Sequence, residues 1–455
     1  MLPSAWPKRL VDMDVSSLTD EDLDWAECVF ISGMAAQRRS ANEVIARCKA
    51  RGVRIVAGGP LFTCEHEQFD QVDHLVLNEA ELTLSGFLHD LERGSPQHVY
   101  STTGFADLRE TPVPLWELVN LKDYHQITVQ FGRGCPFNCE FCNIASLLGH
   151  RVRVKTGGQI IAELERAYQL GYRGNVLFAD DNIIGNRKAL EQDLLPELIR
   201  WRKTRPGINF QTEASIDMAD DPQLMQMLVR AGFEKIGVGI ETLNAESLLE
   251  CSKHQNRNRD TLADVRRITQ AGIQVMAAFM IGFDHDDTGV FQQQIDFIQK
   301  SGIMASAVGL LQAIPGTRLY ERLKREGRLK NTWEGNWWME DAVNFVTRMD
   351  PDVLQAGYGN VLRSIYSPRG YYLRAKTFLR AYKQPPEFRM RSEEPGRLMI
   401  FVRASLRLGI MDRGRMYYWK LLFWTAIHRR ELLPLAVSIA IHGFHFRKIV
   451  EERFH

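Results

Sequence analysis

The strongest constraint on the fold is a regular alternation of short β-type runs with helical segments, which begins near Thr128. This alternation is typical of parallel βαβ units. Between the β-type runs lie segments with apolar residues at helical spacing, such as residues 158–170 and 221–231. The β-type runs are residues 127–131, 175–179, 208–213, 235–240, 274–281 and 305–311. Six βα units predict a partial barrel, with functional side chains at the carboxyl ends of its strands.

Composition excludes several classes of protein. The chain has 455 residues, of which 45% are apolar and 25% charged, the balance of a soluble globular chain of two to four domains. Its 57 basic and 56 acidic residues lack the basic excess of a dedicated nucleic-acid binder, so no nucleic-acid partner is expected. The N-terminus has no signal-peptide pattern, and the best apolar run, residues 432–441, contains Pro434. We therefore expect a cytoplasmic protein without a membrane span.

The seven cysteines fall into two groups. Four are isolated among apolar or helical residues and are expected to be inert, buried thiols: Cys28, Cys48, Cys64 and Cys251. The other three, Cys135, Cys139 and Cys142, lie within eight residues, directly after the first predicted barrel strand. This second group predicts a metal or cluster site at the mouth of the barrel.

The residues alone leave two kinds of site open. A structural zinc site ordinarily needs a fourth protein ligand, which His150 could provide. An iron–sulfur cluster held by only three thiolates leaves one iron free for a small molecule.

The spacing CxxxCxxC, with Phe141 before the last cysteine, resembles the signature of the radical S-adenosylmethionine (SAM) superfamily. The resemblance implies that Cys135, Cys139 and Cys142 hold a [4Fe–4S] cluster and that SAM binds its fourth iron. It also implies that one electron, from a reductant such as flavodoxin or ferredoxin, cleaves SAM to methionine and a 5′-deoxyadenosyl radical. That radical abstracts hydrogen from an unactivated carbon.

Polar residues follow several of the predicted barrel strands. Each alone fits a helix cap or a solvated turn, and several at one barrel mouth favour a binding site. The resemblance implies that residues at these positions, at Phe141 and in a turn after the sixth strand bind and orient SAM: Phe141, Asp180, Asp181, Asn182, Glu213, Ser215, Glu241, Pro315 and Gly316.

The segment before the barrel also has an α/β pattern, with strands predicted at residues 9–15, 28–32, 54–57 and 74–77 and a helix at 41–51. This is a doubly wound, Rossmann-like pattern whose strand ends bind flat or phosphorylated cofactors. It has no GxGxxG fingerprint, which disfavours a nicotinamide cofactor. Placed before the barrel, the segment resembles the cobalamin-binding domain of B12-dependent radical SAM proteins.

The resemblance implies that three loops lie along the cobalamin, through Ser32, Met34, Gly58, Gly59, Pro60, Asn78 and Glu79. Members of that family usually begin with a further strand, loop and helix before the segment matching residues 9–15. We therefore expect this domain to lack its first strand and helix. Whether it binds cobalamin stays open at this stage.

The last part of the chain is helical, aromatic and basic. Residues 361–455 contain 19 Lys and Arg against 7 Asp and Glu. One interpretation is a helical cap packed on the barrel with solvated arginines. The other is peripheral contact with the anionic inner face of a membrane. The two interpretations are compatible.

We expect an α/β chain with an incomplete cobalamin-binding domain (1–120), a partial (β/α)6 radical SAM barrel (121–345) and a basic helical region (346–455). This arrangement resembles the branch of B12-binding radical SAM proteins that includes hopanoid C-2 methylases. The leading hypothesis is a cobalamin-dependent methyltransferase acting on an unactivated carbon of a small molecule or lipid, such as a hopanoid. The alternatives are a radical SAM cyclase, oxidase or rearrangement catalyst, and a non-catalytic zinc or iron–sulfur protein.

Overall fold

The computed structural model describes residues 1–330, 342–388 and 397–454. The chain forms two compact units. The first contains Met1–Ile208 and the turn at Pro315-Gly316, and the second contains Asn209–Leu311 and the C-terminal helices. Each unit is described in turn.

The first unit begins with a parallel sheet whose strands follow one another in chain order. Its strands are β1 (Cys28–Ser32), β2 (Arg54–Gly58), β3 (His74–Val76) and β4 (Val99–Tyr100). Its helices are α1 (Asp20–Trp25), α2 (Arg38–Ala50), α3 (Pro60–Glu65) and α4 (Ala80–Glu92). The inner strand β2 is buried through Ile55, Val56 and Ala57, and Cys48 of α2 packs into the same core. The predicted α/β pattern of this domain is confirmed.

The strand predicted at residues 9–15 is wrong. The carbonyl of Asp12 accepts the N–H groups of Val15 and Ser16, at 3.0 and 2.8 Å, and its carboxylate accepts the N–H of Asp14 at 3.1 Å. These bonds close a turn, because an Asp side chain competes with strand pairing for nearby backbone N–H groups. Among the described strands, β1 therefore pairs with β2 alone and forms an edge of its sheet.

The rest of the first unit contains the segments around the cysteine loop. Strand β5 (Gln126–Val129) pairs in parallel with β8 (Asn175–Phe178), and the short strands β6 (Gly132–Arg133) and β7 (Arg153–Val154) are antiparallel. The helices of this part are α5 (Ile144–Leu148), α6 (Gly157–Gln169), α7 (Arg187–Ala189), α8 (Leu195–Arg202) and α13 (Arg318–Arg325). The cysteine loop thus joins β6 to α5.

The second unit contains four parallel strands in the order β12-β11-β10-β9. They are β9 (Asn209–Glu213), β10 (Phe233–Glu241), β11 (Gln274–Ile281) and β12 (Ala305–Leu310). Helices α9 (Pro222–Ala231), α10 (Ala245–Glu250), α11 (Thr261–Gln270) and α12 (Gly289–Ser301) lie between them in the chain. Alternate residues of β11 are buried, as the period of two along a strand requires. All six barrel strands predicted from the sequence are present.

Five further helices end the second unit: α14 (Pro351–Tyr366), α15 (Pro368–Ala381), α16 (Arg397–Leu406), α17 (Arg415–His428) and α18 (Leu433–Arg453). Helices α14 and α15 pack on α12, and the Tyr366 hydroxyl donates to the carbonyl of Ser306 in β12 at 2.7 Å. The predicted helical C-terminal region is therefore confirmed. None of the helices in the described ranges is both long and apolar enough to cross a membrane.

Candidate functional site

The cysteine loop is held in place by its own backbone. The N–H of Cys135 donates to the carbonyl of Gly149 at 3.1 Å, and the N–H of Cys142 donates to the carbonyl of Cys139 at 3.2 Å. Gly134 has a φ of 100°, and a Cβ at this position would lie 2.8 Å from the Gly149 oxygen. Only glycine fits there without moving the backbone.

The three thiols of this loop are partly buried and electrostatically close. Burial raises the pKa of Cys142 to about 12, and the charges of Cys139, Cys135 and Asp181 act in the same direction. Within the described ranges, no three His, Cys, Asp or Glu side chains lie close enough together to hold a single metal ion. His150, the candidate fourth zinc ligand, is exposed. Three free thiols on one short loop are a donor set that fits a [4Fe–4S] cluster with one open iron.

Asp180 fixes the entrance to the loop. It is fully buried, and its carboxylate accepts the N–H groups of Phe131 and Gly132 at 2.9 and 2.5 Å. Burial raises the pKa of Asp180 to about 7, against the effect of these two bonds. Both oxygens are occupied by the backbone that leads into Cys135. The neighbouring Asp181 acts on Cys142 through its charge, and Asn182 is buried at the start of a short 3₁₀ turn.

The Pro315-Gly316 turn lies against the cysteine loop. The Ser146 hydroxyl donates to the Gly316 carbonyl at 3.0 Å, and the N–H of Leu319 donates to the carbonyl of Glu140 at 2.9 Å. Gly316 has a φ of 81°, which favours glycine. The structure thus brings together the cysteines, Phe141, Asp180, Asp181, Asn182, Pro315 and Gly316 in the first unit.

The loop after β3, predicted to line cobalamin, and the first turn of α4 are joined to the two strands that flank the cysteine loop. Arg153 of β7 donates to both oxygens of Glu79, at 2.7 and 2.6 Å, and to the carbonyl of Leu148 at 2.9 Å. Arg133 of β6 is paired with Glu81 at 2.9 Å. All four charged side chains are largely buried. Sequence reasoning missed both arginines, because nothing local indicates which carboxylates they reach.

The other residues predicted to contact cobalamin lie at the carboxyl ends of β1, β2 and β3. Gly59 has a φ of 87°, and a Cβ there would lie 2.8 Å from the hydroxyl of Ser32. A Cβ on Gly58 would lie 2.5 Å from the Val76 carbonyl. These close approaches leave a surface with few side chains, which fits the approach of a large flat ligand. Of the remaining residues in this group, Met34 is exposed, Pro60 begins α3, and Asn78 has a φ of 61°.

Sequence reasoning also missed the position of Cys64. The Asn143 amide group donates to its sulfur at 3.9 Å, and a Cβ on Gly316 would lie 3.8 Å from the same atom. Burial raises the pKa of the Cys64 thiol, so it is neutral at physiological pH. This thiol, predicted to be isolated and inert, lies beside the residue that follows Cys142.

The second unit holds the other strand-end carboxylates. Glu241 is buried with a φ of 64°, at an irregularity in the pairing of β10 with β11. One of its oxygens accepts from the Nζ atom of Lys253 at 2.7 Å. Among the described residues, no group hydrogen-bonds to its other oxygen, Oε2. A buried acceptor without a donor fits a site for a ligand that brings one.

Glu213 is the last residue of β9 in the same unit, and Ser215 begins the 3₁₀ turn that follows. Glu213 is paired with Gly237 of β10, where a Cβ would lie 3.2 Å from the Glu213 side chain. Desolvation of the carboxylate, and then the charge of Glu241, raises the pKa of Glu213. The Ser215 hydroxyl donates to the carboxylate of Asp217. Glu213 and Glu241 are therefore electrostatic neighbours, whereas Ser215 is engaged with a side chain of its own turn.

Comparison with known proteins agrees with this arrangement. The profile of the Radical SAM superfamily matches residues 129–297, and that of a domain of unknown function (DUF4070) matches residues 317–454. An uncharacterized methyltransferase of Synechocystis sp. is 36% identical over 99% of this chain and 85% of its own length. Hopanoid C-2 methylase of Rhodopseudomonas palustris is 34% identical over 97% of this chain and 85% of its own length.

Solved structures agree on the fold. The radical S-adenosylmethionine methyltransferase TsrM from Kitasatospora setae, with cobalamin and a [4Fe–4S] cluster bound, superposes with a TM-score of 0.61 at 13% identity. The superposition covers 93% of this chain and 90% of TsrM. The cobalamin-dependent enzyme OxsB gives a TM-score of 0.59 at 15% identity, over 97% and 78% of the two chains.

The cysteine loop, the parallel strands and these matches define a radical SAM enzyme, whose cofactors are a [4Fe–4S] cluster and SAM. The chain belongs to the family of radical SAM methyltransferases that includes hopanoid C-2 methylase.

Proposed function

We propose that this enzyme is a cobalamin-dependent radical SAM methyltransferase that methylates an unactivated carbon of a hopanoid-type lipid. The substrate class is taken from hopanoid C-2 methylase, with which the chain shares 34% identity along nearly its whole length. The cobalamin requirement is taken from the N-terminal α/β domain and from the bound cobalamin of TsrM. A flavodoxin or a ferredoxin is proposed as the electron donor.

One observation carries the proposal: the loop after β3 and the first turn of α4 are ion-paired to the strands on both sides of the cysteine loop, through Glu79 with Arg153 and Glu81 with Arg133. Methyl transfer to a substrate radical requires the methyl donor and the radical source to be near each other. Buried ion pairs of this kind hold two loops in a fixed relation, because removing either partner leaves an uncompensated charge.

The roles of the residues follow from their positions. In this proposal Cys135, Cys139 and Cys142 hold the cluster, and Glu241 accepts a hydrogen bond from SAM. The closely packed Gly58 and Gly59 let the corrin approach the backbone. When bound, these groups supply a carbon-centred radical and a transferable methyl group. The protein contributes geometry, and it keeps water away from the reacting carbon.

The first test is anaerobic reconstitution with iron, sulfide and hydroxocobalamin, followed by desalting and metal analysis. We expect about four irons and one cobalt per chain. Gly59→Ala should lower bound cobalt and leave iron unchanged, because the new Cβ meets Ser32. Gly94→Ala is the matched control, since Gly94 also has a positive φ, 73°, and a Cβ there meets no atom within 4 Å. Iron without cobalt in the unsubstituted protein would contradict the proposal.

The second test addresses the substrate. The reconstituted enzyme is incubated with methyl-labelled SAM, a reductant and a hopanoid lipid. We expect label in the lipid together with 5′-deoxyadenosine. If 5′-deoxyadenosine forms with bound cobalt present, and the label stays out of the hopanoid while it enters another added acceptor, the reaction class stands and the lipid assignment fails.

A second candidate is a radical SAM enzyme that does not transfer a methyl group, such as a cyclase, an oxidase or a rearrangement catalyst. It is favoured by the turn at Asp12, where a cobalamin-domain strand was predicted, and by the edge position of β1. Formation of 5′-deoxyadenosine without bound cobalt and without any labelled product would support this candidate.

A further inference from the structure

Helix α16 and the π-helical turn that follows it, Arg407–Met411, carry apolar side chains on their solvent side. Leu398, Val402, Leu406 and Ile410 are 76, 46, 51 and 60% exposed. A spacing of four residues places them along one stripe of the helix. The opposite side of the segment, with Ala404 and Leu408, is buried. The segment is therefore apolar on both sides, whereas the solvent side of an ordinary surface helix is polar.

Helix α17 has a second apolar stripe. Met416, Phe423 and Ile427 are 63, 64 and 76% exposed, while Tyr418, Leu421 and Leu422 on its other side are buried. The two segments pack side by side, because the indole N–H of Trp419 donates to the Gly409 carbonyl at 2.9 Å. Ser405 and Tyr418 also form a hydrogen bond, at 3.1 Å. We call the two stripes together the hairpin surface.

The chain segment that forms the hairpin surface is basic, although Arg413 and Arg429 are paired with Glu451 and Glu431 outside it. Residues 398–430 contain seven Lys and Arg, and Asp412 is the only acidic residue. Asp412 is buried and paired with Arg447, so this stretch exposes no carboxylate. Arg403, Arg407, Arg415 and Lys420 are exposed. A second copy of the chain would bring the same positive charges face to face, whereas an anionic lipid surface complements them.

We propose that the hairpin surface binds an anionic membrane, with its apolar side chains among the acyl chains and its basic side chains at the headgroups. Exposed apolar side chains with basic side chains among them are typical of an element that lies in the plane of the membrane interface. A cluster of exposed apolar side chains of this kind marks an interaction site. The inference does not depend on the reaction that the enzyme catalyses.

Flotation of the full-length protein with vesicles tests the proposal. Vesicles of phosphatidylcholine are compared with vesicles that also contain phosphatidylglycerol, at low and high salt. We expect binding to the anionic vesicles at low salt. Phe423→Ser/Ile427→Ser should weaken it by at least about tenfold, because two apolar side chains no longer insert. Leu249→Ser is the matched control, since Leu249 is 46% exposed in the same unit and outside the hairpin surface.

A second variant separates loss of binding from loss of folding. Arg403→Gln/Arg415→Gln removes two exposed charges and should weaken binding by about fivefold for each charge at low salt. The unchanged circular dichroism spectrum of each variant is the check on folding. Two results would overturn the proposal: no binding of the unsubstituted protein to anionic vesicles, or equal binding by the variants and the control. A dimer that the Phe423→Ser/Ile427→Ser variant converts to a monomer, without vesicle binding, would assign the surface to a second copy.

Discussion

Two strand-end carboxylates, Asp180 in the first unit and Glu241 in the second, have the same sequence context and different structural surroundings. Both follow a buried parallel strand, and the sequence predicts that both contact SAM. The two oxygens of Asp180 accept hydrogen bonds from the backbone N–H groups of Phe131 and Gly132. Glu241 places one oxygen on Lys253, and Oε2 has no hydrogen-bond partner among the described residues.

This difference distinguishes a carboxylate that positions the backbone from a carboxylate that can bind a ligand. A carboxylate with a backbone N–H group on each oxygen organises the loop that it touches, and it has fewer free acceptor positions than a carboxylate with only one bonded oxygen. A buried carboxylate with one open oxygen has that capacity, and its positive φ shows that the backbone is held in a costly conformation there. We therefore expect Asp180 to act through the cysteine loop and Glu241 to act on SAM directly.

The largest effect is expected from the loop that Asp180 organises. Cys139→Ser replaces a soft thiolate with a hard hydroxyl, which is a poor ligand for an iron–sulfur cluster. Iron content after anaerobic reconstitution should fall sharply, and 5′-deoxyadenosine should fall to the background of the assay. Cys28→Ser, in the edge strand β1, is the control and should keep both. Full iron content in Cys139→Ser would mean that Cys139 does not hold the cluster, and the role assigned to the cysteine loop would be wrong.

The next effect tests the buried pair of the second unit. Lys253→Met leaves the Glu241 carboxylate buried without its cation, which should cost about 3–5 kcal/mol in the free energy of unfolding. Glu241→Gln/Lys253→Met should recover much of that loss, because no charge remains buried. Urea denaturation of the three proteins measures both values. If Lys253→Met has the same free energy of unfolding as the unsubstituted protein, another group compensates the charge of Glu241. Its Oε2 atom would then not indicate a ligand site.

The strands of the barrel could be predicted from the sequence, because each is a short β-type run between helices with a clear apolar face. The cysteine loop could also be predicted, because three soft ligands within eight residues are typical of a metal or cluster site. The turn at Asp12 could not be predicted, because the β-type residues of segment 9–15 indicated a strand. The side chain and carbonyl of Asp12 accept the N–H groups that a strand would use.

The roles of individual site residues could be predicted less well from the sequence. The sequence places Asp180 and Asp181 side by side, and only the fold shows that the first reaches the backbone and the second acts on Cys142. Likewise, Cys64 and Asn143 are 79 residues apart in the chain, and their contact depends on the docking of α3 beside the cysteine loop. Such contacts depend on tertiary packing, which local patterns do not encode.

A smaller effect is expected at Asp180 itself. Asp180→Ala leaves the N–H groups of Phe131 and Gly132 buried without an acceptor, at a cost of about 2–3 kcal/mol in the free energy of unfolding. Iron retention after desalting should also decrease, because the entrance to the cysteine loop is no longer held. Asp180→Asn keeps one acceptor oxygen and should lose less of both. Normal iron retention with a raised KM for SAM in Asp180→Ala would instead make Asp180 a ligand-binding residue like Glu241.

The smallest effect concerns a third strand-end carboxylate, Asp286, which follows β11. Like Asp180 it is buried with both oxygens hydrogen-bonded, accepting from the N–H groups of Gly282 and Phe283 and from the Ser247 hydroxyl. Burial raises the pKa of Asp286 to about 6 in the folded protein, above the value near 4 of an unfolded chain. The folded state therefore binds the proton more tightly, so this stabilisation is complete below about pH 4 and is lost as the pH rises through about 6.

Asp286→Asn imitates the protonated acid and should remove this part of the pH dependence. Relative to the unsubstituted protein, its free energy of unfolding should rise by up to about 2–3 kcal/mol between pH 4 and pH 7, as measured by urea denaturation at each pH. Asp287→Asn, at the exposed neighbouring residue, should leave the profile unchanged. The opposite slope, with Asp286→Asn losing stability as the pH rises, would mean that the three hydrogen bonds outweigh burial. Carboxylates such as Asp286 and Asp180, which accept hydrogen bonds from the backbone, would then be charged in the folded protein. They would differ from Glu241 only in their hydrogen-bond partners.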